Sequence, residues 1–153
     1  MNPYQRFRNM TTRRLALVED GGYGEELIVV TNVRQSYDTE TSSAVITGTE
    51  YKGSGLKINF KQYHITNNLV KQDDVNFYIS PIAKITVPDE DWIPDEDQTE
   101  EDRPDIEVEV DIPPITSADF IIFQNVKYSV VNSKPWNNAG VLMGYKVQGR
   151  VAK

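Results

Sequence analysis

The chain has no cysteine and a single histidine among its 153 residues. Without thiols there is no disulfide framework, no thiolate metal site and no sulfur nucleophile, a composition that fits a reducing cytoplasm. The lone histidine, His64, stands between Tyr63 and Ile65 in a strand-like run, where it reads as a packing or surface residue and not as a base. A glycine-rich phosphate loop, a nucleophile turn and a histidine metal spacing are all missing. No apolar run approaches the ~20 residues that span a bilayer, and the N-terminus carries no signal-peptide pattern. These absences predict a protein that is not an enzyme, with no catalytic residue, no metal, no cofactor and no membrane segment.

Charge is present in quantity, and its placement is informative. Thirteen carboxylates fall between Pro88 and Asp111 against one base, Arg103, a net of −12, while the whole chain is −7. The body outside that segment is therefore mildly basic. Asp89, Glu90, Asp91, Asp95, Glu96 and Asp97 form the densest part and enclose Trp92 and Ile93. Oxygen ligands suit a hard cation, yet the EF-hand spacing with its central glycine and terminal glutamate is missing, so a solvated acidic loop is the favoured reading over calcium. Raised-pKa acid chemistry needs carboxyls in contrasting environments, which a solvated run does not supply.

Long Val, Ile, Tyr and Phe stretches with few Ala or Leu argue for a mostly β protein, and 153 residues make one domain's worth. Asn2-Pro3 marks a helix start, and Tyr4, Phe7, Met10, Thr11, Leu15 and Val18 recur at a helical period, with Gly21-Gly22 as the stop. Arg6, Arg8, Arg13 and Arg14 decorate the rest of that helix. Strands are predicted over Glu25–Arg34, Ala44–Tyr51 with Gly48 as a bulge, Leu56–Ile65, Val75–Ser80 and Ala83–Val87. Lys52–Gly55 reads as a loop. Ile106–Val110 alternates as the exposed return arm of a hairpin with Ala83–Val87. The expected fold is a mainly β, small barrel or sandwich domain over 1–153, with a short N-terminal helix and a long acidic loop or hairpin insertion over 88–111.

The last third is the richest stretch. Asp119 leads an apolar strand, Gln124-Asn125 falls where a tight hairpin turn belongs, and Tyr128, Val130, Tyr145, Val147 and Val151 keep the period of a half-buried strand. Asn132–Gly140, with Pro135 and Trp136, reads as a loop before the closing strand. Trp136 either caps the barrel end or anchors a neighbouring subunit. This order resembles the C-terminal half of the small neck proteins that join head to tail in tailed bacteriophages, the head–tail joining or head-closure family. The matching residues are Asp119, Tyr128, Val130, Val131, Pro135, Ala139, Gly140, Tyr145, Val147, Gln148 and Arg150, with Ala118 in place of the usual glycine. An upstream block, Ile65 to Ser80, is similar to the same pattern, with Gln72-Asp73 standing for the family's Gly-Asp turn.

The resemblance implies a virion structural protein at the head–tail junction, made in the host bacterial cytoplasm and assembled as a homo-oligomeric ring of six or twelve copies. Its partners would be the portal or adaptor protein, the tail terminator or tail tube protein, and non-specific double-stranded DNA in the lumen, with no membrane. The ring would close the head and guide DNA exit. The acidic residues would either repel DNA from the passage or dock on a basic neighbour, with Trp92 and Ile93 as the apolar anchor. Arg6, Arg8, Arg13 and Arg14 would contact an acidic ring or phosphate. Two alternatives remain open: a tail-terminator or tail-completion ring protein, and a cellular β-barrel module that binds a basic protein.

Overall fold

The computed structural model describes residues 3–59, 74–138 and 140–152. Its elements are α1 (Pro3–Leu15), β1 (Glu25–Asp38), β2 (Ser43–Asn59), β3 (Val75–Ile79), β4 (Ile82–Pro88), β5 (Asp105–Asp111), β6 (Phe120–Phe123), β7 (Val126–Asn138) and β8 (Val141–Val151). Single 3-10 turns occupy Val18–Asp20 and Glu100–Asp102. Strands run in the spatial order β1-β6-β7-β8-β3-β2, and β2 pairs back with β1, so six strands close into a barrel. Closure leaves no edge inside that ring. The β4–β5 hairpin hangs from β2 through the pair Lys52 and Lys84. The mainly β barrel with a short N-terminal helix is the fold expected from the sequence.

Alternation builds the core. Leu27 and Val29 on β1, Val75, Phe77 and Ile79 on β3, Ile121 and Phe123 on β6, Tyr128 and Val130 on β7, and Tyr145 and Val147 on β8 all point inward and are buried. Phe77 sits at the centre, edge-on to Phe123 at 5.7 Å and to Tyr128 at 5.1 Å. Such edge-to-face pairs satisfy the ring quadrupoles. Gly149 makes room for this cluster, because a Cβ there would stand 2.8 Å from the Phe77 ring.

Several expected boundaries shift. β2 is one 17-residue strand where two strands and a Lys52–Gly55 loop were expected. Gly53 and Gly55 are buried strand residues, and a Cβ on Gly55 would meet the Tyr78 carbonyl oxygen at 2.3 Å. They mark a close approach of backbones, not a turn. Gly48 lies opposite the bulge instead of forming it: Thr31 pairs with Thr49 and Arg34 with Thr47, so the extra residue is on β1, where Asn32 takes φ 52°. β7 continues through Pro135 and Trp136 to Asn138, so the expected Asn132–Gly140 loop shrinks to the turn before Val141. No described strand pairs with the β6 side of β7 beyond Ser129, so the N–H that Pro135 lacks is not missed by a ladder. Val151, expected inside, is exposed at the strand end.

The helix ends at Leu15, earlier than Gly21-Gly22. Those glycines instead turn the chain back, and Tyr23 N–H and Gly24 N–H donate to the carbonyls of Arg14 and Ala16 at 2.8 Å each. The Arg14 carbonyl, one of those freed at the helix C-terminus, is thereby satisfied. The Gln124-Asn125 turn is as expected, with φ 49° and 63°, the paired left-handed conformation of a tight hairpin. Asn2 as helix cap, His64, the Ile65–Asp73 part of the upstream block and Ala139 lie outside the described residues.

Candidate functional site

Two surfaces carry the candidate residues. The first is the β4–β5 hairpin, whose ladder runs from Ile82–Asp111 to Pro88–Asp105 and matches the return arm expected at Ile106–Val110. Its base is rooted in the core through Ala83 and Ile112, and the Tyr145 hydroxyl donates to the Ile112 carbonyl at 3.2 Å. Burial pushes the Tyr145 phenol above its ordinary pKa. Acids on the β5 limb are tied to the body: Glu107 accepts from Lys52 at 2.9 Å and Asp111 from Arg8 at 2.6 Å.

Beyond the ladder, residues 89–104 form a hydrogen-bonded loop. Asp89 N–H donates to the Pro104 carbonyl at 3.0 Å and closes its neck. Arg103 is the organiser. Its guanidinium donates to both carboxylate oxygens of Glu100, at 2.9 and 3.0 Å, donates to the Asp89 carbonyl, and lies 5.4 Å from the Trp92 ring. The bonded Arg103 holds the Glu100 carboxyl below the usual glutamate range. Asp102 accepts from Thr99 N–H at 2.9 Å and Gln98 from Asp95 N–H at 2.9 Å. The segment's single base thus stitches an acidic loop to itself. Trp92 is half-buried against Arg103, whereas Ile93 is 83% exposed amid Asp91, Asp95, Glu96 and Asp97, all exposed. Trp92 and Ile93, paired as an anchor in the sequence, therefore divide: one braces the loop and the other projects.

The second surface holds Arg14 and Trp136, both expected as contacts, around an apolar groove that was not foreseen. α1 lies over β8 and β2 on the outside of the barrel, leaving an apolar groove of about 660 Å³. Phe7, Met10 and Leu15 form the helix wall, Leu56, Ile58 and Tyr78 the floor, and Trp136 the far rim. Strand register explains the floor: Leu56 pairs with Tyr78, Tyr78 with Lys146 and Lys146 with Lys134, one row of outward side chains across four strands. Trp136 stands two residues from Lys134 on the same face of β7 and is 49% exposed. Phe7 is 52% exposed, so the apolar helix face is only half covered. The helical period at Tyr4, Phe7 and Met10 was the available signal. It reads as core in the sequence, because nothing there shows that the barrel is already filled.

The groove is rimmed with positive charge. Arg14 lines it, Lys146 lies 5.8 Å from the Tyr78 ring, and Arg6 and Arg13 are exposed on α1. Arg8 is placed differently. It is half-buried and donates to the Leu142 carbonyl at 3.0 Å as well as to Asp111, which fastens α1 to β8 and β5. The structure thus leaves Arg6, Arg13 and Arg14 facing outward, gathers the acids on a separate hairpin, and does not bring the two groups together. Among the described residues no group of three or more His, Asp or Glu side chains converges as a metal site. No helix among them is long and apolar enough to cross a membrane.

The sequence marks at Asp119, Gln148 and Arg150 are structural anchors. Asp119 is buried, and its carboxylate accepts from Thr116 N–H at 2.8 Å, bracing the entry to β6. Gln148 and Arg150 both bind the buried Asp74 at the start of β3. No family model, curated protein or solved structure matches this chain.

Proposed function

We propose that this chain is a structural protein of the tailed-phage neck, a ring-forming subunit that joins the head to the tail, closes the filled head and lines the path of DNA exit. The observation that carries the reading is the ordered set of marks from Asp119 to Arg150, which resembles the neck family. Most of those marks lie on β7 and β8, antiparallel neighbours in a closed barrel, and Asp119 leads into β6 on the other side of β7. Support also comes from surface design. β1, β4 and β7 share one strand sense, so three hairpins leave the barrel in the same direction, a layout suited to contacts with flanking rings.

In this reading the work is mechanical. Barrels pack side by side through hairpins and the apolar groove, and portal or adaptor and tail proteins seat on the two faces of the ring. DNA passes through without sequence-specific contact. Of the two roles for the acidic segment, docking is favoured over repulsion of phosphates, because its loop is hydrogen-bonded and presents an exposed Ile93.

The test is replacement of residues 90–102 by a short turn in the producing phage, which leaves the β4–β5 ladder intact. Loss of filled, tailed particles with normal empty or tailless heads is the expected result. Normal particle yields would reject the role of the loop, and normal yields from a strain lacking the whole chain would reject the neck reading.

A further inference from the structure

The groove and the acidic loop are complementary in shape class and in charge, and they sit on different parts of one chain. One is an apolar trough of about 660 Å³ rimmed by Arg14 and by Lys146 beside Tyr78. The other is a braced projection with a bare isoleucine at its tip and carboxylates around it. Exposed apolar surface of this kind, ringed by charge, marks a protein–protein contact.

We infer that the occupant of the groove is the Asp91–Asp97 loop of a second copy of the same chain, with Ile93 seated between Phe7, Met10 and Trp136 and the flanking acids facing Arg14 and the exposed Arg13. This deepens the neck reading by naming the subunit contact, and it rests on that reading only for the ring that would result. The chain supplies both halves of the match. The charged residues of the loop are all acids except Arg103, α1 carries three outward arginines and no acid, and neither a basic nor a neutral partner would match both the trough and its rim as well. Charge pairing orients the approach, and Ile93 burial supplies the non-directional attraction. Because Arg103 and the Glu100 and Asp89 contacts already hold the loop, little ordering entropy is lost on docking. The two surfaces are not the same patch, so the contact is head-to-tail. Such contacts repeat from copy to copy and close into a ring when the rotation allows.

The absence of native cysteine makes the test direct. One preparation carries Ile93→Cys and another Met10→Cys, both exposed positions whose replacement leaves the barrel intact. The two full-length proteins are mixed under mild oxidation, and a control mixture pairs Ile93→Cys with Tyr37→Cys on the β1–β2 hairpin. Docking holds the sulfurs at a raised effective concentration, so the Ile93–Met10 disulfide forms about tenfold faster than the control. Added salt slows it, because the charged rim is screened. Equal rates for the two mixtures, or no salt dependence, overturn the inference. Electron microscopy of the unmodified chain separates the two proposals: rings without the cross-link would spare the neck reading and reject this contact, while the cross-link without rings would do the reverse.

Discussion

Arg150 grips Asp74 with both arms, Nε donating to Oδ1 at 2.8 Å and Nη2 to Oδ2 at 2.9 Å, and Gln148 adds a third bond to Oδ2 at 2.8 Å. The Asp74 side chain has no solvent exposure, while Arg150 is partly open to water. The pair fastens the closing strand to the entry of β3, which lies beside it in the barrel. A buried carboxylate stripped of its guanidinium is far costlier than the pair is favourable. Arg150→Met is therefore expected to destabilise the fold by about 3 kcal/mol, read from the midpoint of urea unfolding. Arg150→Lys should recover only part, because a single ammonium cannot reproduce the two-armed geometry. A midpoint unmoved by Arg150→Met would show that the pair does not hold the barrel.

Gly149 offers a separate test of the core. Its neighbour is the Phe77 ring, which is fully buried and pressed by Phe123 and Tyr128. Gly149→Ala forces that ring to shift, with an expected loss of about 1–3 kcal/mol. Combining it with Phe77→Leu should recover part of the loss, since the smaller side chain vacates the space. Strictly additive losses in the double variant would contradict the packing described.

The opposite sign is expected at Thr31. This buried residue has a hydroxyl with no hydrogen-bond partner among the described residues. Thr31→Val keeps the shape and removes a desolvated polar group, so stability should rise by about 1 kcal/mol. Thermal unfolding measures it, and a lower midpoint would mean the hydroxyl is satisfied.

Such features show where the sequence was legible and where it was not. The Gln124-Asn125 turn, the alternation that packs Tyr128, Val130, Tyr145 and Val147, and the Ala83–Val87 hairpin arm follow from local periodicity and turn chemistry, which act over a few residues. The unity of β2 was hidden because Gly53 and Gly55 look like loop residues until their crowded neighbours are seen. The place of Trp136 inside β7 was hidden for a related reason: Pro135 ends a strand only when a ladder needs its N–H, and that depends on where β6 stops. Arg8 and Arg103 look like their neighbouring charges in sequence. Only tertiary contacts separate the arginine that fastens α1 and the arginine that organises the acidic loop from those left facing water. The groove required knowing that the barrel interior was already full without Phe7 and Met10.

Acid should loosen the β4–β5 loop. The Glu100 carboxyl is held below its ordinary value, first by its hydrogen bond from Arg103 and then by that residue's charge. A depressed carboxyl stabilises above the unfolded-state value and loses that contribution as pH falls through the lowered folded value. The Trp92 environment is thus expected to change below about pH 4, the ordinary glutamate range. Fluorescence of Trp92 in a Trp136→Phe background reads this directly. Glu100→Gln should show the loosened signal already at neutral pH. An identical acid transition in that variant would assign the change to other groups.

The central claim is that these barrels assemble with one another around a passage. Electron microscopy of the purified full-length chain tests it most directly. The account expects annular particles of six or twelve subunits with an open centre. Single subunits across the accessible concentration range, alone and with the portal and tail partners proposed above, would contradict it.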